Sequence, residues 1–231
     1  MKFSLLSFFV FVLLVEIYMG QNKITPSLLK KYMNMKSIYI VDVREDAISN
    51  AGYFHNSIIL PLTLSYDKFF PAIFPRDSYI VLICDKENYR TALNKTNAFN
   101  AYKVIGYVIY EDIKKDGLQI DKAEYNENTK EDVEKLVAQN EYMIDVREVV
   151  EFNETGVVKG SVLIPLTTFV QKYTIIPKHN KTIYVFCKLG RRALTVMTYL
   201  KRAGYRNKFY IMRGGLTKTI SEGYKLEPYR P

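Results

Sequence analysis

Apolar residues occur along this chain in two patterns that follow one another: stretches with helical spacing and short continuous runs. Residues 28–32 carry apolar side chains at helical spacing and precede the apolar run 38–43. Residues 133–138 do the same before the apolar run 142–146. Helical patterns that alternate with short apolar runs predict an α/β fold, in which a mostly parallel sheet is flanked by helices.

The clearest instance of this pattern lies near the carboxyl end of the chain. The apolar run 183–186 ends at Cys187, and after a short loop Leu194 and Met197 recur at helical spacing until Gly204. This pattern predicts a buried strand, a tight loop and an amphipathic helix. Ligands of parallel sheets bind at the carboxyl ends of the strands, so Cys187 is the first candidate for a functional residue.

The loop that follows this cysteine is suited to binding an anion. It consists of Lys188, Leu189, Gly190, Arg191 and Arg192. A helix N-terminus leaves backbone N–H groups unpaired and carries the positive end of the helix dipole. Gly190 allows the loop to turn several of these groups toward one point, and the cations add positive potential. We therefore expect Cys187 to act as a thiolate nucleophile, with the loop as its substrate-binding site.

The chain also repeats itself. Cys187 follows Cys84 by 187 − 84 = 103 residues, and the same offset to within one residue relates other segments. The matching pairs are 42–45 with 145–148 and 60–63 with 164–167. A near-constant offset of this length predicts two tandem domains. We place the first over residues 21–120 and the second over 131–231, with a polar linker at 121–130.

The two predicted domains differ at their cysteines. The loop after Cys84 has no glycine, and it carries Asp85 and Glu87. Carboxylates disfavour a thiolate and repel an anionic substrate, so we expect the first domain to be catalytically inactive and mainly structural. Cys84 and Arg90 nevertheless have the Cys-x5-Arg spacing of phosphatase and arsenate-reductase loops, which leaves a possible second site of that chemistry open.

The segment from Cys187 to Arg192 resembles the Cys-x-x-Gly-x-Arg loop of the rhodanese family of sulfurtransferases. Other family marks stand at matching distances, with Val157 and Thr219 as departures where histidine and tryptophan are usual. These marks are Asp145-Val146-Arg147 followed by Glu151-Phe152, then Gly156, Gly160, Ser161 and Ile164-Pro165, and finally Gly214-Gly215-Leu216 and Gly223-Tyr224. The repeat extends this resemblance to two rhodanese-like domains, of which the first is commonly inactive in tandem family members.

The resemblance implies a specific chemistry. Cys187 would take a sulfane sulfur from thiosulfate or a similar donor as a persulfide and pass it to cyanide, a thiol or a protein cysteine, with no cofactor. Arg192, with Lys188 and Arg191, would hold the anionic end of the donor. Asp145 and Arg147 support the site in the family, with Arg147 a candidate substrate contact. A purely structural ion pair is the alternative for these two, because the first domain has the same pair.

Composition narrows the choice of partners and of alternative functions. The net charge of +9 comes without a nucleic-acid motif, which favours attraction for small anions. No histidine or cysteine cluster has the spacing of metal ligands, and two cysteines are too few for a disulfide framework. We expect a monomer.

The non-enzymatic alternative is a binding or redox module, including one with a disulfide between Cys84 and Cys187.

The first 20 residues form a separate unit. A short positive start, an apolar stretch and Gly20 before Gln21 predict a secretory signal peptide over residues 1–20, with an uncleaved membrane anchor as the alternative. The expected location is therefore outside the cytosol, whether secreted, periplasmic or in the secretory-pathway lumen, without membrane contact after cleavage.

Overall fold

The computed structural model describes residues 22–45, 47, 52–178 and 180–231. The predicted signal peptide lies outside this described part. We refer to residues 22–121 as the first half and to 122–231 as the second half. The first half contains α1 (Pro26–Tyr32), β1 (Ile38–Asp42), β2 (Tyr53–Phe54), β3 (Ile58–Ile59), α2 (Tyr66–Ile73), β4 (Tyr79–Cys84), α3 (Tyr89–Ala98), β5 (Lys103–Ile109), α4 (Tyr110–Lys115) and β6 (Ile120–Asp121).

The second half follows a similar order of elements, with a strand added at its start and a helix where the first half has β2. It contains β7 (Glu124–Asn126), α5 (Lys130–Ala138), β8 (Tyr142–Asp145), α6 (Val149–Thr155), β9 (Val162–Leu163), α7 (Phe169–Lys172) between the 3-10 turns Leu166–Thr168 and Tyr173–Ile175, β10 (Thr182–Phe186), α8 (Arg191–Arg202), β11 (Lys208–Met212) and α9 (Gly215–Ser221). Local signals set these boundaries. The Thr129 hydroxyl, for example, accepts a hydrogen bond from the Asp132 N–H in a capping box that begins α5.

Each half is built on its own parallel sheet. The strand order is β3-β1-β4-β5 in the first half and β9-β8-β10-β11-β7 in the second, and every pairing within these sheets is parallel. Strands β1, β3, β4 and β5 thus occupy the same positions as β8, β9, β10 and β11. A short antiparallel pair, β2 with β6, lies apart from them. The predicted α/β fold with parallel sheets flanked by helices is confirmed.

The segment 121–130, predicted as a linker, also contributes a strand to the second sheet. It contains β7, which pairs in parallel with β11 through Tyr210 and Glu124 and so extends the second sheet. The backbone of this polar stretch finds its hydrogen-bond partners at the free edge of that sheet. The domain boundaries proposed from the sequence stay a prediction.

Helix α8 packs between the two halves. Nearly all of its side chains from residue 192 to 200 are buried, as is usual for a helix covered on more than one side. Its Thr198 Oγ1 accepts a hydrogen bond of 3.1 Å from the N–H of Ile59 in β3. The main apolar cluster accordingly includes Ile58 and Leu60 together with Met197. In the described residues, no helix is long and apolar enough to cross a membrane.

Candidate active site

Cys187 lies directly after β10, where the chain leaves the sheet. The residue is 1% exposed, and the loop that follows reaches α8 after three residues. Gly190 caps the helix with φ +84°, a left-handed conformation that costs a side chain about 1–2 kcal/mol. The predicted arrangement of strand, tight loop and helix is confirmed, and the helix ends at Arg202, two residues before Gly204.

A second glycine-containing segment, around Gly215, binds this loop through backbone hydrogen bonds. The Cys187 and Lys188 carbonyls accept hydrogen bonds from the N–H groups of Leu216 and Thr217, at 2.9 and 3.0 Å. These contacts require Gly215, because a Cβ there would lie 2.3 Å from the Cys187 oxygen. The loop carbonyls are therefore bound on the side of α9.

The N–H groups of the same loop are left available. Among the backbone hydrogen bonds of the described residues outside regular helices and strands, none has a donor from residues 188–191. Because the carbonyls are bound at α9 and the helix dipole is positive at this end, the loop presents donors without competing acceptors. Such an arrangement can stabilise negative charge on a sulfur at Cys187.

Cys187 opens into a pocket of about 340 Å³ that both halves line. The second half contributes the loop and parts of α6. The first half contributes Leu64, Ser65, Lys68 and Phe69 around the start of α2. Leu189 stands at this pocket with 54% of its side chain exposed. The pocket is large enough for a small anion and for the attacking group of an acceptor.

The cations of the loop are not equivalent. The guanidinium of Arg192 is bound by both carboxylate oxygens of Glu151, at 2.5 and 2.7 Å. Burial opposes the charge of Arg192, but the hydrogen bonds to Glu151 and the nearby charge of Cys187 raise its pKa. Arg191 donates to Glu45 and to the hydroxyl of Thr63 in the first half.

Lys188 differs from both arginines. It is exposed at the pocket, and in the described part of the chain no ion pair involves it. Of the three predicted donor-binding cations, Lys188 is therefore the one whose charge is not already matched by a carboxylate.

Asp145 and Arg147 form a buried ion pair behind the loop. The Arg147 guanidinium donates to both Asp145 oxygens, to the Thr155 hydroxyl at 2.6 Å and to the Gly156 carbonyl at 2.8 Å. It does not line the pocket of Cys187. The direct contact with substrate that the resemblance implies for Arg147 stays a prediction, and these contacts do not favour it.

The first half repeats this pair. Arg44 donates to Asp42 at 2.7 Å and to the Gly52 carbonyl at 3.0 Å. Since the pair is present beside both cysteines, it ties the end of a strand to the following loop whether or not the site is reactive.

The surroundings of Cys84 are different from those of Cys187. Burial raises the pKa of the Cys84 thiol, and the carboxylates of Asp42 and Asp85 raise it further. In its loop, the Asn88 side chain accepts a hydrogen bond of 3.0 Å from the Asp85 N–H, so that amide is already used. Arg90 is exposed, and its Nε donates to the Tyr89 hydroxyl at 2.9 Å. Both cysteines are free thiols.

Sequence reasoning missed a pair of carboxylates beside the pocket. Glu45 accepts hydrogen bonds from the N–H and the hydroxyl of Thr63, at 3.2 and 2.5 Å, in addition to Arg191. This ties the loop of the second half to the first half.

Glu148 also links the two halves, but it belongs to the second half and binds a cation of the first half. It accepts from Thr167 at 3.3 and 2.8 Å, and Lys68 of the first half lies 3.2 Å from it. Each half thus binds a cation of the other half through its own Glu–Thr pair. The duplicated segments 42–45 and 60–63 carried this signal in the sequence, since they supply the glutamate and the threonine.

In the described residues, no group of three or more His, Cys, Asp or Glu side chains is placed to hold a metal ion.

Comparison with known proteins gives a match for the second half. The model of the rhodanese-like domain matches residues 129–222. Comparison with curated proteins finds no match.

Several solved structures are similar to this chain, and three of them differ in how much of the chain they cover. A rhodanese-related protein from Thermoplasma volcanium is 25% identical over 43% of this chain and 95% of its own, with a TM-score of 0.37. A thiosulfate sulfurtransferase from Pseudomonas aeruginosa is 17% identical over 90% of this chain and 44% of its own, with a TM-score of 0.39. A 3-mercaptopyruvate sulfotransferase from Escherichia coli is 16% identical over 83% and 98%, with a TM-score of 0.34.

The family match covers β10, the cysteine loop, α8 and the glycine segment at Gly215, but not the first-half residues that line the pocket. Residues 129–222 of this chain are therefore similar to the rhodanese-like domain.

Proposed function

We propose that this protein is a sulfurtransferase that moves a sulfane sulfur from thiosulfate, or a similar small anionic donor, to a thiophilic acceptor through a persulfide of Cys187. The observation that carries the proposal is the loop geometry. A cysteine at a helix N-terminus faces a pocket, while its loop carbonyls are bound by the segment at Gly215 and its N–H groups are left available.

The reaction needs two displacements. The Cys187 thiolate attacks the outer sulfur of thiosulfate, so that a new sulfur–sulfur bond forms as the bond within thiosulfate breaks and sulfite leaves with its electron pair. The acceptor, such as cyanide, then attacks the terminal sulfur of the persulfide. Thiocyanate leaves and the Cys187 thiolate is restored, so no external oxidant or reductant is consumed. This is double-displacement covalent catalysis.

The residues of the pocket have different roles in this proposal. The loop N–H groups stabilise the negative charge on the persulfide sulfur. Lys188, which lacks a carboxylate partner among the described residues, attracts the anionic end of the donor. Arg192 keeps the loop positive while Glu151 holds its guanidinium in place. The unmatched charge of Lys188, together with the loop N–H groups, favours the doubly charged thiosulfate over a singly charged donor.

The alternative of phosphatase-like chemistry at Cys84 and Arg90 receives no support from the local contacts. A phosphate-binding loop needs free N–H groups and an arginine folded over the anion, but Asn88 occupies one amide and Arg90 lies against Tyr89. We propose that the first half serves as a structural partner. Export of the protein rests on residues 1–20 alone and stays a proposal, as do the monomeric state and the nature of the acceptor.

The test compares two cysteine variants of the full chain. Wild-type protein incubated with thiosulfate and cyanide should produce thiocyanate, and mass spectrometry after thiosulfate alone should show Cys187 heavier by one sulfur atom. Cys187→Ser should abolish both signals, whereas the matched variant Cys84→Ser should keep thiocyanate production within about twofold of wild type. Thiocyanate production by Cys187→Ser at the wild-type rate would contradict the proposal. A parallel assay with 3-mercaptopyruvate identifies the preferred donor.

A further inference from the structure

A second cavity, of about 590 Å³, lies between the two halves at the far end of α8. The first half contributes the segment after α1 to its wall, and the second half contributes the end of α8. The twelve residues of α8 separate it from the Cys187 pocket, because at about 1.5 Å per residue the helix spans roughly 16 Å from Arg191 to Arg202. The two cavities have no lining residue in common.

The charges around this cavity are of one sign. Lys36, Lys178 and Arg202 line it, and its described lining includes neither aspartate nor glutamate. Lys36 and Lys178 are exposed, and no ion pair in the described residues involves them. Positive charges that converge on a concave surface without carboxylates raise the local concentration of anions.

Arg202 differs from an ordinary surface arginine. It is partly buried, and the carbonyls of Ile38 and Asn56 accept hydrogen bonds from its guanidinium, the second at 3.3 Å. These neutral acceptors orient the guanidinium but leave its charge uncompensated. Burial accordingly lowers the pKa of Arg202, and no carboxylate is among its electrostatic partners. An anion in the cavity would supply the missing counter-charge.

Tyrosine hydroxyls complete the donor set. Tyr39, Tyr173 and Tyr199 line the cavity, and no hydrogen bond among the described residues uses the hydroxyl group of any of them. Their rings are held in place, since Tyr199 packs edge-on against Tyr173 and the Arg202 guanidinium lies 5.1 Å from the Tyr39 ring centre. Burial raises the pKa of Tyr199, so its hydroxyl remains protonated and able to donate at neutral pH.

We propose that this cavity is a second ligand site, which binds a small oxyanion with at least two negative charges, of the phosphate-ester or pyrophosphate class. Lys36 and Lys178 bind the anion from opposite halves, while Arg202 and the tyrosine hydroxyls provide charge and hydrogen bonds at its base. The site does not depend on sulfur transfer at Cys187.

The experiment titrates the full chain with pyrophosphate by isothermal calorimetry at fixed low ionic strength. The double variant K36E/K178E should bind pyrophosphate at least about tenfold more weakly than wild type, since it removes two charge-assisted contacts. The matched variant K115E/K225E changes the net charge equally at exposed lysines outside the cavity, and its affinity should stay within about twofold of wild type. Tyr199→Phe removes only a hydroxyl donor and should weaken binding about threefold.

Three results from the wild type and the double variants would overturn the proposal. They are the absence of pyrophosphate binding to wild type, an affinity of K36E/K178E within about twofold of wild type, and equal losses in both double variants, which would reflect overall charge alone. Lys188→Ala serves as a further control. Loss of pyrophosphate binding in this variant would place the anion in the Cys187 pocket instead. Titration with sulfate distinguishes a phosphate-type from a sulfur-type oxyanion, and we expect pyrophosphate to bind more tightly because it carries more charge.

Discussion

The loops after Cys84 and Cys187 occupy the same place in two sheets of the same strand order, yet they present opposite chemistry. In the second half, Gly190 turns the chain with φ +84° and the glycine segment at Gly215 binds the loop carbonyls. In the first half, Glu87 stands at the position of Gly190 by the repeat offset, and Asn88 binds a loop amide with its own side chain. The comparison teaches that the same position at the end of a strand can give a thiol very different surroundings. We propose that the orientation of the loop amides and the sign of the nearby charges decide which of the two thiols is reactive.

Apart from replacement of Cys187 itself, the largest expected effect comes from Gly215→Ala. The added methyl would lie 2.3 Å from the Cys187 carbonyl oxygen, so the loop has to move and its N–H groups lose their orientation. We expect sulfur transfer to fall by about two orders of magnitude, the size of losing an oxyanion-type donor set. The control is Gly160→Ala, which has a similar positive φ of +73° but open space around the new methyl. Equal activity of the two alanine variants would show that the Gly215 segment does not orient the loop.

Chemical labelling compares the two thiols directly. With iodoacetamide at neutral pH, we expect Cys187 to react about a hundredfold faster than Cys84, because the thiolate is the reactive form and the pKa of Cys84 is raised. The sign of the pH dependence follows from this shift. A thiol whose pKa lies above the solution pH gains about tenfold in thiolate per pH unit, so labelling of Cys84 should rise steeply as the solution is made alkaline. Peptide mass spectrometry gives both rates, and denatured protein is the control in which the two rates should converge.

A smaller effect is expected from Glu151→Gln. This change leaves the mostly buried guanidinium of Arg192 without a counter-charge, and we expect about a tenfold loss of activity. Burial alone would raise the pKa of Glu151, but the hydrogen bonds from Arg192 and the Glu148 N–H hold it below its usual 4.5.

The stability that the Glu151–Arg192 pair contributes depends on pH in a definite direction. The contribution of Glu151 to stability is present above pH 4.5 and is lost as the pH falls through its lowered pKa. Thermal unfolding should therefore separate wild type from Glu151→Gln at neutral pH, and the difference should shrink in acid. Glu154→Gln, on the same helix but exposed, is the control. A constant difference at all pH values would contradict the ionic role.

The smallest effect concerns the link between the halves. Arg191 and Glu45 are 30% and 46% exposed, so solvent screening limits their pair to about 0.5 kcal/mol. We expect Glu45→Gln and Arg191→Gln each to lower activity about twofold, and the double variant to lose no more than either single variant. The corresponding cycle at Lys68 and Glu148 shows whether the two links are equivalent. Additive losses would mean that Arg191 acts without Glu45.

Much of the local structure around the two cysteines could be predicted from the sequence, because the relevant signals are local. The apolar run ending at Cys187 and the helical spacing after it fixed the strand, the loop and α8 to within a few residues. Likewise, Asp85 and Glu87 beside Cys84 indicated an unfavourable setting for a thiolate, and the pKa of Cys84 is indeed raised, although burial is the larger cause.

The rest depends on contacts between distant residues. The sequence does not tell that Glu151 binds Arg192 across 41 positions, or that Glu45 reaches Arg191 across 146. The wall of the Cys187 pocket formed by Lys68 and Phe69 also arises only when the two halves pack together. Side-chain pairing of this kind decides which cation stays available for a substrate, and spacing along the chain carries no record of it.

Helix α8 is covered on one side by the first half, where the Ile59 N–H donates a hydrogen bond to the Thr198 hydroxyl. Expressed by itself, the segment 131–231 would carry a water-exposed apolar helix directly behind Cys187, and such a surface promotes aggregation. Under the proposed function, selection has to preserve the face of the first half that meets α8 but not the loop after Cys84. Sequence drift should accordingly be fast around Cys84 and slow along Ile58 to Leu60.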